Sequence, residues 1–84
     1  MPTDPSQPDR PLTEFPAGQT VRIVAVGEPE AELVLLRMGL VAGDTVQVAA
    51  KPAGGPLVLR KRGLEIALGR CYCRHILAEA LPPV

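Results

Sequence analysis

Apolar residues fall along this chain in short runs of two different periods. Thr20 to Val26 is rich in β-formers, and Val21, Ile23 and Ala25 share one face at period two before Gly27 ends the run. Glu28-Pro29-Glu30-Ala31-Glu32 then reads as a helix entry, because proline fits a first turn and carboxylates there oppose the positive end of the helix dipole. The pattern predicts a helix from about Pro29 to Met38, stopped at Gly39. Leu33, Val34, Leu35, Leu36 and Met38 are more apolar positions than one stripe can hold, so part of this helix should stay exposed or meet a partner.

Beyond the helix the period returns to two. Thr45 to Ala49 alternates, and the Pro- and Gly-rich stretch from Lys51 to Pro56 is a strong turn signal. Leu57 to Arg62 follows as a strand, Gly63 reverses the chain, and Leu64, Ile66 and Leu68 share a face. Arg70 to Arg74 reads as one helical turn and His75 to Glu79 as a last strand. About five short strands and one helix, with two hairpins and no βαβ spacing, predict a mainly β fold: a small antiparallel barrel. Closing such a barrel removes exposed edges.

Composition narrows the function. A chain of 84 residues is one small domain, and 46% hydrophobic with 21% charged residues is a globular mix. The longest apolar runs, as at Leu33 to Leu36, fall far short of the ~20 residues that cross a bilayer. No charged start followed by an apolar stretch marks a secretory leader, so a cytoplasmic address is expected. One Phe, one Tyr and no Trp argue against stacking platforms for nucleic acids or sugars. Residues 1–11 include four prolines and are expected to be a disordered tail, residues 12–80 the domain, and residues 81–84 a frayed end.

Net charge is zero but unevenly spread. Residues 1–50 carry −4 and residues 51–75 carry +5, with Glu79 completing the balance. Arg60, Lys61 and Arg62 lead the basic half. On a strand Arg60 and Arg62 point one way and Lys61 the other, so a solvated face is the plain reading. Contact with an acidic protein surface comes next, and nucleic acid last.

Cys71, Cys73 and His75 raise a metal hypothesis, since thiolates and imidazole suit Zn(II) or Fe(II). On a strand all three would share a face; on a helical turn Cys71 and His75 meet while Cys73 points away. The plainer alternative is two half-buried thiols beside a surface histidine. Spacing and compartment both oppose a disulfide between the two cysteines. Catalysis finds no support: there is one histidine, no argued Ser-His-Asp set, and no Walker A lysine after Ala53-Gly54-Gly55-Pro56.

Several segments, taken in order, resemble the FeoA proteins of bacterial ferrous iron uptake. They are Leu12-Thr13-Glu14 with Pro16-Ala17-Gly18, Val21-Arg22-Ile23-Val24, and Leu36-Arg37-Met38-Gly39-Leu40-Val41-Ala42-Gly43. Val46-Gln47-Val48, Gly55-Pro56-Leu57 and Gly63-Leu64-Glu65-Ile66-Ala67-Leu68-Gly69-Arg70 complete the set. The resemblance implies an SH3-like β-barrel with a helix inserted after the first strand. It implies a cytosolic accessory of FeoB, a membrane iron transporter with a GTPase-like cytosolic domain, and a similar module ends some iron-dependent repressors of the DtxR type. Two departures stand out. Leu33 and Val34 occupy helix positions where the family often has basic residues, which points to a more apolar interface or a second copy of the chain. Cys71-Tyr72-Cys73-Arg74-His75 stands where the family usually shows Glu and Ala.

The resemblance and the over-apolar helix together predict docking on the transporter's cytosolic part. The expected contact residues are Leu33, Val34, Leu36, Arg37, Met38, Gly39 and Leu40, with Arg60, Lys61 and Arg62 adding electrostatic steering. The competing readings are a small metal-binding or metal-sensing protein using Cys71, Cys73 and His75, and an SH3-like nucleic-acid module.

Overall fold

Residues 9–82 are described by the computed structural model. Strands β1 (Arg10–Pro11), β2 (Thr20–Val26), β3 (Thr45–Ala50), β4 (Leu57–Lys61), β5 (Leu64–Leu68) and β6 (Ile76–Ala80) form one antiparallel sheet in the order β1-β6-β2-β3-β4-β5. A 3₁₀ turn (Leu12–Glu14) precedes β2, helix α1 (Pro29–Arg37) lies between β2 and β3, and helix α2 (Arg70–Cys73) lies between β5 and β6. The architecture is the expected mainly β, SH3-like one, with six strands rather than about five. Hydrogen bonding does not close the sheet, because β1 and β5 lie at its two ends and do not pair.

The sheet curls because alternate residues of every long strand must leave water together. Val21 and Ile23 of β2, Val46 and Val48 of β3, Leu57 and Leu59 of β4, and Ile76 and Ala78 of β6 are fully or almost fully buried. Leu12 and Phe15 enter the same core from the 3₁₀ turn, and Leu35, Leu40 and Cys73 enter it from the helical segments. Each large side chain buried this way contributes roughly 1.5–3 kcal/mol.

Three sequence expectations shift. Alternation in β2 does not run through to Ala25, because the register with β6 slips between Ile23 and Ala25. The bulge reverses the parity beyond it, so Val26 packs on the core and pairs with buried Ile76, while Ala25 pairs with exposed Leu77. Arg10 and Pro11, assigned by sequence to the tail, instead form β1 opposite Ala78 and Leu77. The Arg10 guanidinium lies 4.4 Å from the Phe15 ring centroid, a cation–π contact that holds this edge down. Residues 1–8 of the expected tail lie outside the described residues. Leu81 is tied in by its N–H to the Thr20 carbonyl at 3.0 Å and by its carbonyl to Gln19 Nε2 at 3.2 Å. The rest of the expected frayed end reaches beyond the described residues after Pro82.

Candidate docking surface

Helix α1 is set by its own chain at both ends. Glu28 is the N-cap, its Oε2 accepting the Ala31 N–H at 2.7 Å, and Pro29 follows in the first turn. That backbone hydrogen bond holds the Glu28 carboxyl below the usual carboxylate range. At the other end Gly39 adopts φ +81°, the left-handed conformation that glycine tolerates. The Gly39 N–H reaches the Leu36 carbonyl at 3.0 Å and the Leu40 N–H reaches the Leu35 carbonyl at 2.9 Å. These are the two bonds of a Schellman motif, which also brings the residue after the glycine onto the last inward helix position. Leu40 and Leu35 accordingly are both 1% exposed.

The corner after the helix is pinned from outside. Asp44 Oδ2 accepts from the Val41 N–H at 2.9 Å and from Lys61 Nζ at 2.9 Å. Lys61 Nζ also donates to the Gly39 carbonyl at 2.7 Å, at the negative end of the helix. The Lys61 hydrogen bond is the main reason the Asp44 carboxyl lies below its ordinary range, with the Val41 amide next. Two backbone bonds, Gly43 N–H to Ile23 carbonyl at 2.7 Å and Ile23 N–H to Asp44 carbonyl at 2.9 Å, join the corner to β2.

With the helix fixed in this way, Ala31 and Leu35 face inward and Val34 packs partly against the core. Leu33 stays 47% exposed, Leu36 58% and Met38 39%, and Arg37 and Gly39 are exposed as well. The expected contact set therefore divides. Leu40 belongs to the core rather than to the surface, because the Schellman contact draws it in. Its neighbour Val41, which the sequence reading passed over, is exposed in its place. A cleft of about 170 Å³ opens beside them, lined by Val26, Glu32, Leu35, Leu36, Leu40, Val41 and Ala42. It is an apolar groove with one carboxylate at its rim, suited to holding an aliphatic or aromatic side chain.

The basic hairpin is partly engaged within the chain. Arg60 Nη2 contacts Glu65 Oε2 at 2.6 Å, Lys61 is committed to Asp44 and Gly39, and Arg62 stands exposed in the turn at φ +53°.

The C-x-C-x-H segment does not assemble. Cys71 is exposed, whereas Cys73 is fully buried, with its thiol 3.5 Å from the Leu68 carbonyl. Burial pushes the Cys73 thiol up to about 11, which opposes the thiolate that a metal requires. His75 follows the helical turn, and its backbone carbonyl accepts the Gly27 N–H at 2.8 Å. Among the described residues no group of three or more His, Cys, Asp or Glu side chains is placed to hold a metal ion. Arg70 anchors this turn by donating to the Gly55 and Pro52 carbonyls at 2.8 and 2.9 Å.

A curled antiparallel sheet carrying a capped, outward-apolar helix defines a small SH3-like domain, and among the described residues no helix is long and apolar enough to cross a membrane. The FeoA domain model matches residues 10–80. The fold is similar to the crystal structure of the iron uptake regulatory protein FeoA, with 28% identity, 87% of this chain and 97% of that chain covered, and a TM-score of 0.76. It is similar to the FeoA-like protein from Clostridium acetobutylicum, with 26% identity, 93% of each chain covered, and a TM-score of 0.81. A manganese-dependent transcriptional repressor shares the fold alone, at 20% identity over 92% of this chain and 39% of its own, with a TM-score of 0.80. A comparison with curated proteins gives no match. The chain belongs to the FeoA domain family, a family of accessory domains linked to ferrous iron transport.

Proposed function

We propose that this chain docks on the cytosolic, GTPase-like part of a FeoB-type ferrous iron transporter and acts there as an accessory. The observation that carries the reading is the exposure of Leu33, Leu36, Met38 and Val41 on α1 and the corner after it, where Leu36 and Val41 line a pinned apolar cleft. A domain this small has few large apolar side chains to spare, and four of them stand exposed within the stretch from Leu33 to Val41. Covering two leucines on binding contributes on the order of 1.5–3 kcal/mol each. Pinning the corner through Lys61 and Asp44 lowers the ordering cost of that contact. Arg37 and Arg62 add long-range attraction to an acidic partner rather than affinity.

Calorimetric titration of the chain with the transporter's cytosolic part, with and without guanine nucleotide, tests the reading. Leu33→Glu/Leu36→Glu should weaken the complex by about a hundredfold or more and leave the thermal midpoint in place. Val34 is a poorer choice because it also packs on the core. Wild-type affinity in the double variant, or no complex under either nucleotide condition, overturns the proposal. Sedimentation of the chain alone reads out self-association through the same face.

A further inference from the structure

Among the described residues the curled sheet keeps one open edge of useful length, and it belongs to β5. Its strand neighbour is β4, on one side only. The opposite edge, β1, is two residues long, and its Pro11 has no N–H to offer. The β4–β5 connection is the two-residue turn Arg62-Gly63, with φ +53° and +82°. Positive φ at both positions is the type I′ form that closes tight hairpins. Such a turn makes Lys61 and Leu64 a hydrogen-bonded pair, so Leu59 with Ile66 and Leu57 with Leu68 are the next bonded pairs. Glu65 and Ala67 therefore aim their N–H and C=O groups away from β4. Both residues are exposed, and among the described residues no donor or acceptor reaches those backbone groups.

Sheet edges are ordinarily blunted by proline, lysine, a bulge or a covering element. Leu64-Glu65-Ile66-Ala67-Leu68 has no proline or lysine, and its register with β4 is unbroken over all five pairs. Leu64 is 66% exposed at the start of the strand.

Charge around the edge selects the partner. Of the basic residues in 51–75, Lys61 is paired with Asp44 and Lys51 is bonded to the Thr13 carbonyl, which leaves Arg62, Arg70 and Arg74 with no carboxylate partner among the described residues. Glu65 is already paired with Arg60 at 2.6 Å. Arg62 stands exposed at one end of β5 and Arg74 stands exposed beyond the other, where Arg70 keeps its charge while donating to the Gly55 and Pro52 carbonyls. An antiparallel second copy centred on Ile66 would lay the Arg62 end of each β5 beside the Arg70–Arg74 end of the other, cation beside cation, which is unfavourable. An extended segment with carboxylates at its ends meets the opposite sign at both.

We infer that β5 accepts one further strand from an acidic partner, an extended segment whose main chain pairs with Glu65 and Ala67 and whose terminal carboxylates face the arginines flanking β5. The main chain supplies affinity and the charge supplies selection, as in other strand-addition interfaces. The inference does not rest on the docking reading, and Leu33→Glu/Leu36→Glu should leave it intact.

Amide exchange in the full chain tests it, with a blocked Glu-Val-Thr-Val-Thr-Val-Glu peptide as the probe. Saturating peptide should slow exchange at Glu65 and Ala67 by about tenfold or more, while the Ile66 amide, already in the ladder, changes little. A peptide with lysine at both ends should give no slowing, and neither should an acidic peptide N-methylated at the residues that pair with β5. Ala67→Pro removes an N–H that β4 does not use, so the variant should fold and lose the effect. The methylated peptide gives the same answer without any variant. No slowing with the acidic peptide overturns the inference, as does equal slowing with the lysine-ended one. Slowing that grows with chain concentration in the absence of peptide assigns the edge to a second copy and likewise overturns it.

Discussion

Helices α1 and α2 each carry one of the candidate sites that the sequence raises, and they are held in opposite ways. The nine residues of α1 are capped at both ends by local chemistry, Glu28 before and the Gly39-Leu40 motif after. A helix closed in this way needs only a narrow inward stripe, Ala31 and Leu35, to stay in place. Its remaining apolar residues are free to face outward. The four residues of α2 have no side-chain N-cap and too little length to repay helix nucleation alone. That turn is held from outside, by Arg70 on two loop carbonyls and by Cys73 sunk into the core. A self-sufficient helix can offer a surface, whereas a dependent turn must bury what chemistry it has.

The sharpest way to break this contrast is within α1 itself. Leu35→Ala should cost ~2–5 kcal/mol of stability, the cost of a cavity where a leucine was fully buried. Leu36→Ala, one position on and 58% exposed, should change stability by less than about 0.5 kcal/mol. Urea unfolding of both variants checks the pair. Comparable losses would mean that the outward face is bearing structure and has little to spare for a partner.

What was legible in the sequence follows from the same distinction. Both ends of α1 could be placed because caps are local: an acidic residue before Pro29, a glycine after Met38. The excess of apolar residues on α1 was legible too, since it needs only counting. Features set by distant pairing were not. The bulge that turns Val26 inward instead of Ala25 is a property of the β2–β6 register. Arg10 and Pro11 become a strand because β6, more than sixty residues on, offers an edge, and the ring of nearby Phe15 then takes the Arg10 guanidinium. Leu40 and Val41 exchange roles because the Schellman contact decides which of them meets Leu35. The metal reading turns on the backbone state of one short segment: residues 70–73 are helical rather than extended, so Cys73 turns inward while Cys71 stays out.

The thiols of α2 give the next largest effect, and it appears only at high pH. Burial raises the Cys73 thiol from about 9 to about 11 in the folded chain. Below pH 9 the thiol is neutral whether the chain is folded or not, and its contribution is fully present. Between about 9 and 11 the unfolded chain releases this proton first, so stability falls, by roughly 2–3 kcal/mol in all, and then levels. Cys73→Ala starts from a lower stability but should lack this alkaline decline, and the difference between the two urea-midpoint curves from pH 8 to 11 isolates it. Exposed Cys71 should react with a thiol reagent in the native state while Cys73 reacts only when the chain opens. Equal labelling rates would return Cys73 to the surface and reopen the C-x-C-x-H segment as a site.

The smallest expected change concerns how α1 ends. Lys61 reaches across from β4 to the Gly39 carbonyl and the Asp44 carboxylate, and both side chains of the ion pair are about one-fifth exposed. Solvent screens part of the pair, so Lys61→Met should cost only ~1 kcal/mol. The acid limb is more diagnostic than the size. Asp44 lies below its ordinary range chiefly because of Lys61, so the stability it supplies is present above the unfolded carboxylate's range near pH 4 and is lost as pH falls through the lower folded value. Removing Lys61 should flatten that limb while leaving the alkaline limb of Cys73 untouched. Amide exchange at Val41 should quicken in the same variant, because its N–H donates to the carboxylate that Lys61 holds. If Val41 instead keeps its protection, the corner is held by its backbone bonds to Ile23 alone, and the pinned surface on α1 owes nothing to the hairpin.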